Sequence, residues 1–158
     1  MLNKLKKQSG FTIIEVMIVL AIAGLILVVV LVAVPQLQRN QRNEARRSIV
    51  ARVVTEVNTF SGNNNGRIPT SAADLGRIQD QISGINIEDP STGVNMTLEE
   101  GTAAAGFIEL DDAEGEDLAV LYYQDGVQCN GEQLEDGSAR SFALYTVLEG
   151  GSVVCLGG

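Results

Sequence analysis

The sequence contains no histidine and no tryptophan, and its lysines are confined to positions 4, 6 and 7. Without histidine, the chain has no imidazole to serve as a general acid, a general base or a metal ligand. Without lysine beyond the first residues, it has no glycine-rich loop of the kind that binds phosphate through a lysine. These absences predict a protein that is not an enzyme and that holds no cofactor and no metal.

Positive charge is also missing over long stretches. The formal net charge is −9, and removing residues 1–10, which hold the three lysines and no acid, leaves −12. No lysine or arginine occurs from residue 78 to residue 139, where carboxylates are frequent. By contrast, five arginines crowd one short stretch, at Arg39, Arg42, Arg46, Arg47 and Arg52. An acidic chain repels nucleic acid, so we do not expect nucleic acid as a major ligand.

Cysteine is scarce, and its two copies lie near the C-terminus, at Cys129 and Cys155. They lack the CxxC spacing of redox and zinc sites. An even count is typical of an oxidised domain outside the cytoplasm, and two cysteines allow only one pairing. We predict a disulfide between them; the alternative is two free buried thiols.

The chain does have one long apolar run near its N-terminus. Residues 11–34 are apolar except for Thr12 and Glu15, and residues 1–10 are polar and basic. This length approaches the roughly 20 residues that cross about 30 Å of hydrocarbon. A cleaved secretory signal fits poorly, because such signals are shorter and end at a small-residue site. A plain signal anchor fits the apolar run but leaves Glu15 unexplained, since a carboxylate in a membrane helix usually marks function.

The residues at the start of the apolar run are more specific. A basic leader is followed, before an unbroken apolar helix, by Gly10, Phe11, Thr12, Ile13, Ile14 and Glu15. This order resembles the class III signal of type IV pilins and pseudopilins. The resemblance implies that the prepilin peptidase cleaves between Gly10 and Phe11 and methylates the new amino group of Phe11. It also implies that the processed helix packs with other copies of itself in a filament.

Glu15 is the carboxylate that the resemblance assigns to assembly and registration. A bundle of apolar helices would bury the amine of Phe11, and a buried charge left without a partner is costly. Pairing with Glu15 of the same or a neighbouring subunit would set the axial position of one subunit against the next. Gly24 weakens a helix because glycine loses more backbone freedom on folding than other residues, and Pro35 removes a backbone hydrogen bond. Together they predict a flexible segment between Gly24 and Pro35.

Residues 36–60 continue the helix, because apolar residues recur there at helical spacing, at Ile49, Val50, Val53, Val54, Val57 and Phe60.

The five arginines of this segment allow three interpretations. They form a solvated helix face, contact anionic lipid head groups, or pair with the acidic head of a neighbouring subunit. We prefer the last of these for the filament.

Residues 61–158 form the predicted head. A break at 61–66 is followed by a short helix from Thr70 to Ile82 and a turn at 89–93. We predict strands at 94–98, 106–110, 118–124, 127–129, 141–148 and 152–156. Asp125-Gly126 is expected to form a hairpin turn, as is Gly150-Gly151. The acidic run 109–117 favours a solvated loop over a Ca²⁺ site.

Together these features predict an α+β fold. A long N-terminal helix, its first half spanning the membrane, packs on a small antiparallel sheet in a head that resembles the α/β roll of pilins. The predicted boundaries are a cleaved leader at 1–10, a transmembrane or filament-core helix at 11–35, its amphipathic continuation at 36–60 and the head at 61–158.

The resemblance implies a structural subunit of a type IV pilus-like filament. Family roles are adhesion, twitching motility and DNA uptake. The expected partners are the prepilin peptidase, further copies of the chain, the inner-membrane assembly machinery and, before assembly, membrane lipid. The precursor would sit in the cytoplasmic membrane with its N-terminus inside, and then enter an extracellular pilus. The alternatives are a pseudopilin of a type II secretion system, a low-copy minor pilin or adhesin, and a membrane-anchored binding domain that never polymerises.

Overall fold

A computed structural model describes residues 10–85, 87–108 and 118–158. Its first element is helix α1, Ile13–Asn63, which contains Pro35. The helix was predicted to end at residue 60, but it continues through Ser61 and Gly62 to Asn63, and the Asn64 side-chain amide donates a hydrogen bond to the Phe60 carbonyl at 2.7 Å. The chain divides into two compact units, residues 1–38 and 39–158, and α1 contributes to both.

The first unit offers one helix that is long and apolar enough to cross a membrane. Its large apolar side chains, from Ile13 to Leu37, are exposed in the isolated chain. No side chain of the described part of this unit is buried, so an apolar environment must come from lipid or from other helices.

The second unit contains helix α2, Ala72–Ile82, and the predicted helix ending at Ile82 is confirmed. Ser71 is its N-cap: the Ser71 hydroxyl accepts a hydrogen bond from the Asp74 backbone N–H at 3.3 Å. The strands that follow are β1 Thr97–Glu100, β2 Gly106–Phe107, β3 Val120–Asp125, β4 Val127–Asn130, β5 Gln133–Asp136, β6 Phe142–Val147 and β7 Val153–Gly157. Residues 109 and 110 of one predicted strand, and the whole acidic run 109–117, lie outside the described residues.

The predicted α+β fold, a long N-terminal helix and a small β-sheet head, is confirmed. Where we predicted one antiparallel sheet, the strands form two. A four-stranded sheet has the order β1-β3-β6-β7, and a three-stranded sheet has the order β2-β5-β4. Strands β1 and β3 are parallel, so the head is mixed. A parallel neighbour requires a crossover, and here the chain visits the other sheet at β2 before it returns as β3.

The predicted hairpin at Asp125-Gly126 is wrong. Strand β3 pairs with β1 and β6, whereas β4 pairs with β5, a strand that the sequence did not reveal. Gly126 has a φ of 72° and moves the chain from one sheet to the other. Its N–H donates to the Ser141 carbonyl at 2.9 Å, and its carbonyl accepts from Gly137 at 2.8 Å. The turn at Gly150-Gly151 is confirmed, since it joins the antiparallel strands β6 and β7.

Strand β6 is the centre of the head, and all of its side chains are buried. Phe142 and Leu144 pack in the larger core cluster with the buried stripe of α1, whereas Ala143 and Tyr145 pack in a second cluster with Leu134 of β5. Successive side chains point to opposite faces of a strand. The four-stranded sheet is therefore covered on one face by helices and on the other by the second sheet.

Candidate processing and assembly segment

The class III motif forms the first turn of α1 and the residues before it. Gly10 and Phe11 precede the helix, and Thr12 is the residue just before its first position, Ile13. The backbone N–H of Thr12 donates to Oε2 of Glu15 at 2.8 Å, and the Thr12 hydroxyl donates to the same oxygen at 2.8 Å. The Glu15 N–H approaches the Thr12 hydroxyl oxygen at 3.3 Å. This reciprocal arrangement is a capping box, which satisfies donors at a helix start that have no partner inside the helix.

The capping box gives Glu15 a structural reason for its position. A carboxylate in the first turn also interacts favourably with the positive end of the helix dipole. Phe11, on the N-terminal side of the box, is 88% exposed, and Glu15 is exposed as well. The predicted cleavage bond and the predicted assembly carboxylate therefore lie within one helical turn of each other, and both are accessible.

Gly24 and Pro35 both lie within α1. A Cβ atom placed on Gly24 would meet nothing within 4 Å, so no contact among the described residues requires glycine there. The predicted flexibility between these two residues stays a prediction.

Arg46 was predicted to pair with a neighbouring subunit, but it lies inside its own head. It is fully buried, and its guanidinium donates two hydrogen bonds to the Asp89 carboxylate, from Nε at 2.6 Å and from Nη2 at 3.1 Å. Nη2 also donates to the Ser91 hydroxyl at 2.8 Å, and Nη1 donates to Glu149 at 3.1 Å. A signal was available, because Arg46 precedes Val50 by four residues and so extends the apolar stripe of α1 by one turn.

Arg42 completes this cluster through Glu149. Its Nε and Nη2 each donate to a Glu149 carboxylate oxygen at 2.6 Å, and Asn43 accepts from the Glu149 backbone N–H at 2.9 Å. The preferred interpretation of the arginines, pairing with a neighbouring subunit, is therefore wrong for Arg42 and Arg46. They fasten α1 to the turn at Asp89 and to the β6–β7 turn of their own head.

The hydrogen bonds from the arginines lower the pKa values of Asp89 and Glu149. Burial alone would raise the pKa of Asp89, but hydrogen bonds from Arg46, from the Ser91 hydroxyl and from the Ser91 and Thr92 backbone N–H groups outweigh it and hold the pKa at about 2. Hydrogen bonds from Arg42 lower the pKa of Glu149. Both groups therefore favour the ionised form that the buried guanidinium needs.

Cys129 and Cys155 form a disulfide, with Cα atoms 5.6 Å apart. Cys129 lies on β4 and Cys155 on β7, so the bond links the two sheets of the head.

The described residues thus define an α+β protein whose N-terminal helix carries a capped, apolar segment long enough to span a membrane. Residues 5–31 match the family model of the prokaryotic N-terminal methylation motif, which is the class III signal of type IV pilins. This motif supports a type IV pilin-like protein of the prepilin type, and with the apolar helix it fits a membrane-anchored precursor that is assembled into an extracellular pilus. No curated protein and no solved structure matches the chain.

Proposed function

We propose that this chain is a structural subunit of a type IV pilus-like filament. Residues 1–10 are the leader, and the prepilin peptidase removes it by cutting between Gly10 and Phe11. Residues 11–35 then anchor the subunit in the membrane and later enter the filament core, residues 36–60 continue the helix, and residues 61–158 form the head. The pilus assembly machinery of the inner membrane and further copies of the chain are its partners.

The observation that carries this proposal is the arrangement of Gly10, Phe11 and Glu15 at the start of α1, whose large apolar side chains from Ile13 to Leu37 are exposed in the part of the chain that the structure describes. Cleavage turns Phe11 into a charged N-terminus one helical turn from Glu15. In a packed bundle of helices, an amine and a carboxylate are each costly to bury alone. Their pairing between subunits would fix the axial position of each new subunit.

Mass spectrometry of filaments sheared from the cell surface tests processing. We expect a chain that begins with N-methylated Phe11 and whose mass is lower by two hydrogens because Cys129 and Cys155 are joined. A chain that retains residues 1–10 and stays in the cytoplasmic fraction would contradict the proposal.

The substitution Glu15→Ala tests assembly. We expect processed chain at near wild-type level but at least about tenfold fewer surface filaments, because the Phe11 amine loses its partner. Asp80→Ala is a matched control, since Asp80 is an exposed carboxylate on helix α2. Equal filament yields from Glu15→Ala and Asp80→Ala would remove the assembly role of Glu15.

A further inference from the structure

Three arginines of the crowded stretch remain exposed after Arg42 and Arg46 are used inside the head, namely Arg39, Arg47 and Arg52. Arg47 lies 3.8 Å from Glu44, and both side chains are exposed, so this ion pair is weak. Arg39 and Arg52 have no ion-pair partner among residues 10–85, 87–108 and 118–158. The structure thus separates arginines that stabilise the subunit from arginines that are available to a partner.

Arg47 and Arg52 lie on either side of an exposed face of α1. Five residues along an α-helix correspond to a rotation of about 140°, so the two guanidiniums stand on opposite sides of that face. Between them lie the short, exposed side chains of Ser48 and Ala51, with Thr55 three residues beyond Arg52 and the Glu44 carboxylate three residues before Arg47. A second protein surface can approach closely there and meet a positive charge on either side.

The rest of the same chain supplies the complementary charge. From residue 68 to the C-terminus, seventeen carboxylates stand against two arginines. Several of them are exposed on strands and turns of the head, among them Glu99, Glu100, Asp125, Glu132 and Asp136. Two copies of the chain are therefore complementary when the helix face of one meets the head of the other.

We propose that Arg47 and Arg52 form a docking surface for the acidic head of a second copy of this chain. The contact is heterologous, because it joins two different surfaces, and a heterologous contact whose rotation does not close propagates into an open helical filament. This inference rests on the proposed function, in which the second copy is a neighbouring filament subunit. Charge complementarity of this kind favours the correct orientation and weakens as salt screens it.

The experiment compares surface filaments from cells that produce the full-length chain. Arg47→Glu/Arg52→Glu should lower the yield of sheared filaments by about tenfold or more at an unchanged level of processed chain, because repulsion replaces attraction. Arg47→Lys/Arg52→Lys keeps both charges and should yield filaments near the wild-type level. The matched control is Arg77→Glu/Arg140→Glu, which makes the same change in net charge at two exposed arginines of the head.

Wild-type yield from Arg47→Glu/Arg52→Glu would overturn the docking surface. An equal loss in the control would also overturn it, because net charge rather than this surface would then govern assembly. If charge reversal lowers the level of the chain itself, the variant Arg47→Gln/Arg52→Gln replaces it, and the filament yield is divided by the amount of processed chain. A ratio equal to that of the wild type rejects the proposal. Absence of filaments from the wild-type chain would instead reject the proposed function.

Discussion

Arg46 illustrates how one residue can hold a charge in an apolar core. A buried arginine is tolerated only when its donors are satisfied and its charge is paired. Here Asp89 supplies both carboxylate oxygens, and Asn43, Ser91 and Glu149 accept the remaining hydrogen bonds. The sequence places Arg46 on the apolar stripe but does not reveal its partners, because Asp89 and Glu149 are distant in the chain.

Removing this guanidinium should be strongly destabilising. We expect Arg46→Ala to lower the free energy of unfolding by about 3–5 kcal/mol, because Asp89 is left buried without its counter-charge. Arg47→Ala, one residue along and exposed, should change it by less than about 0.5 kcal/mol. Thermal unfolding of the full-length chain in detergent measures the stability of both variants. Similar unfolding midpoints for Arg46→Ala and Arg47→Ala would contradict the role of Arg46.

Thr12 and Glu15 show how far a short motif can be interpreted from sequence. Their spacing is that of a capping box, and both hydrogen bonds of the box are local, so the geometry follows from the sequence alone. The pairing of Glu15 with the Phe11 amine is different in kind. It needs a second event, cleavage, and in the filament it needs a second subunit.

Among the elements, helices were predicted better than strand pairings. The N-cap Ser71 and the end of α2 at Ile82 follow from local residues. The partners of β3 and β4 do not, because a strand can pair with any strand of suitable pattern, and Asp125-Gly126 suits a hairpin as well as a change of sheet. Strand β5 was missed because its four residues, Gln133–Asp136, bury only Leu134.

The disulfide acts on two elements, since it links β4 of one sheet to β7 of the other. Replacing both Cys129 and Cys155 with serine removes a cross-link over a sequence separation of 26. A loop of this size is worth about 3–4 kcal/mol in the chain-entropy model. We expect the unfolding midpoint of the full-length chain to fall by more than about 10 °C.

Reduction of the wild-type chain provides the control for this double variant. A reductant should bring the wild-type midpoint close to that of the serine variant and leave the variant itself unchanged. Equal midpoints for the oxidised wild type and the variant would show that the two sheets are held together without the bond.

At the scale of the whole molecule, charge is segregated along the chain and then partly neutralised by folding. Arg42 and Arg46 meet Glu149 and Asp89 inside the head, and Arg67 pairs with Asp74 at 2.6 Å at the start of α2. Hydrogen bonds from Arg67 lower the pKa of Asp74 to about 2. Other carboxylates of the described residues, such as Glu99, Asp125 and Asp136, are exposed.

The head should lose stability in acid. The folded-state pKa of Asp89, about 2, lies below its ordinary value of 3.8, so the folded protein binds fewer protons than the unfolded chain between these values. Ionised Asp89 therefore makes its full contribution to the free energy of unfolding above about pH 4. This contribution, up to about 2 kcal/mol, is lost as the pH falls toward 2. The lowered pKa values of Asp74 and Glu149 act in the same direction.

Unfolding midpoints of the full-length chain between pH 5 and pH 2 measure this effect. Asp89→Asn should be less stable at pH 5 and should show a shallower decline toward pH 2, since the titrating group is gone. Glu99→Gln, at an exposed carboxylate, should follow the wild-type curve. A decline in Asp89→Asn as steep as that of the wild type would exclude Asp89 as the acid-sensitive group.

The sequence by itself determined the features that depend on neighbours in the chain: the class III motif, the capped start of α1, the apolar segment, helix α2 and the turn between β6 and β7. Only the tertiary structure decided which strands pair, that the head has two sheets, and which arginines are buried and which remain exposed. The physical reason is range. Helix periodicity and capping act over three or four residues, whereas a strand pairing or a buried ion pair is chosen by the whole core, such as Arg46 with Asp89 across 43 positions.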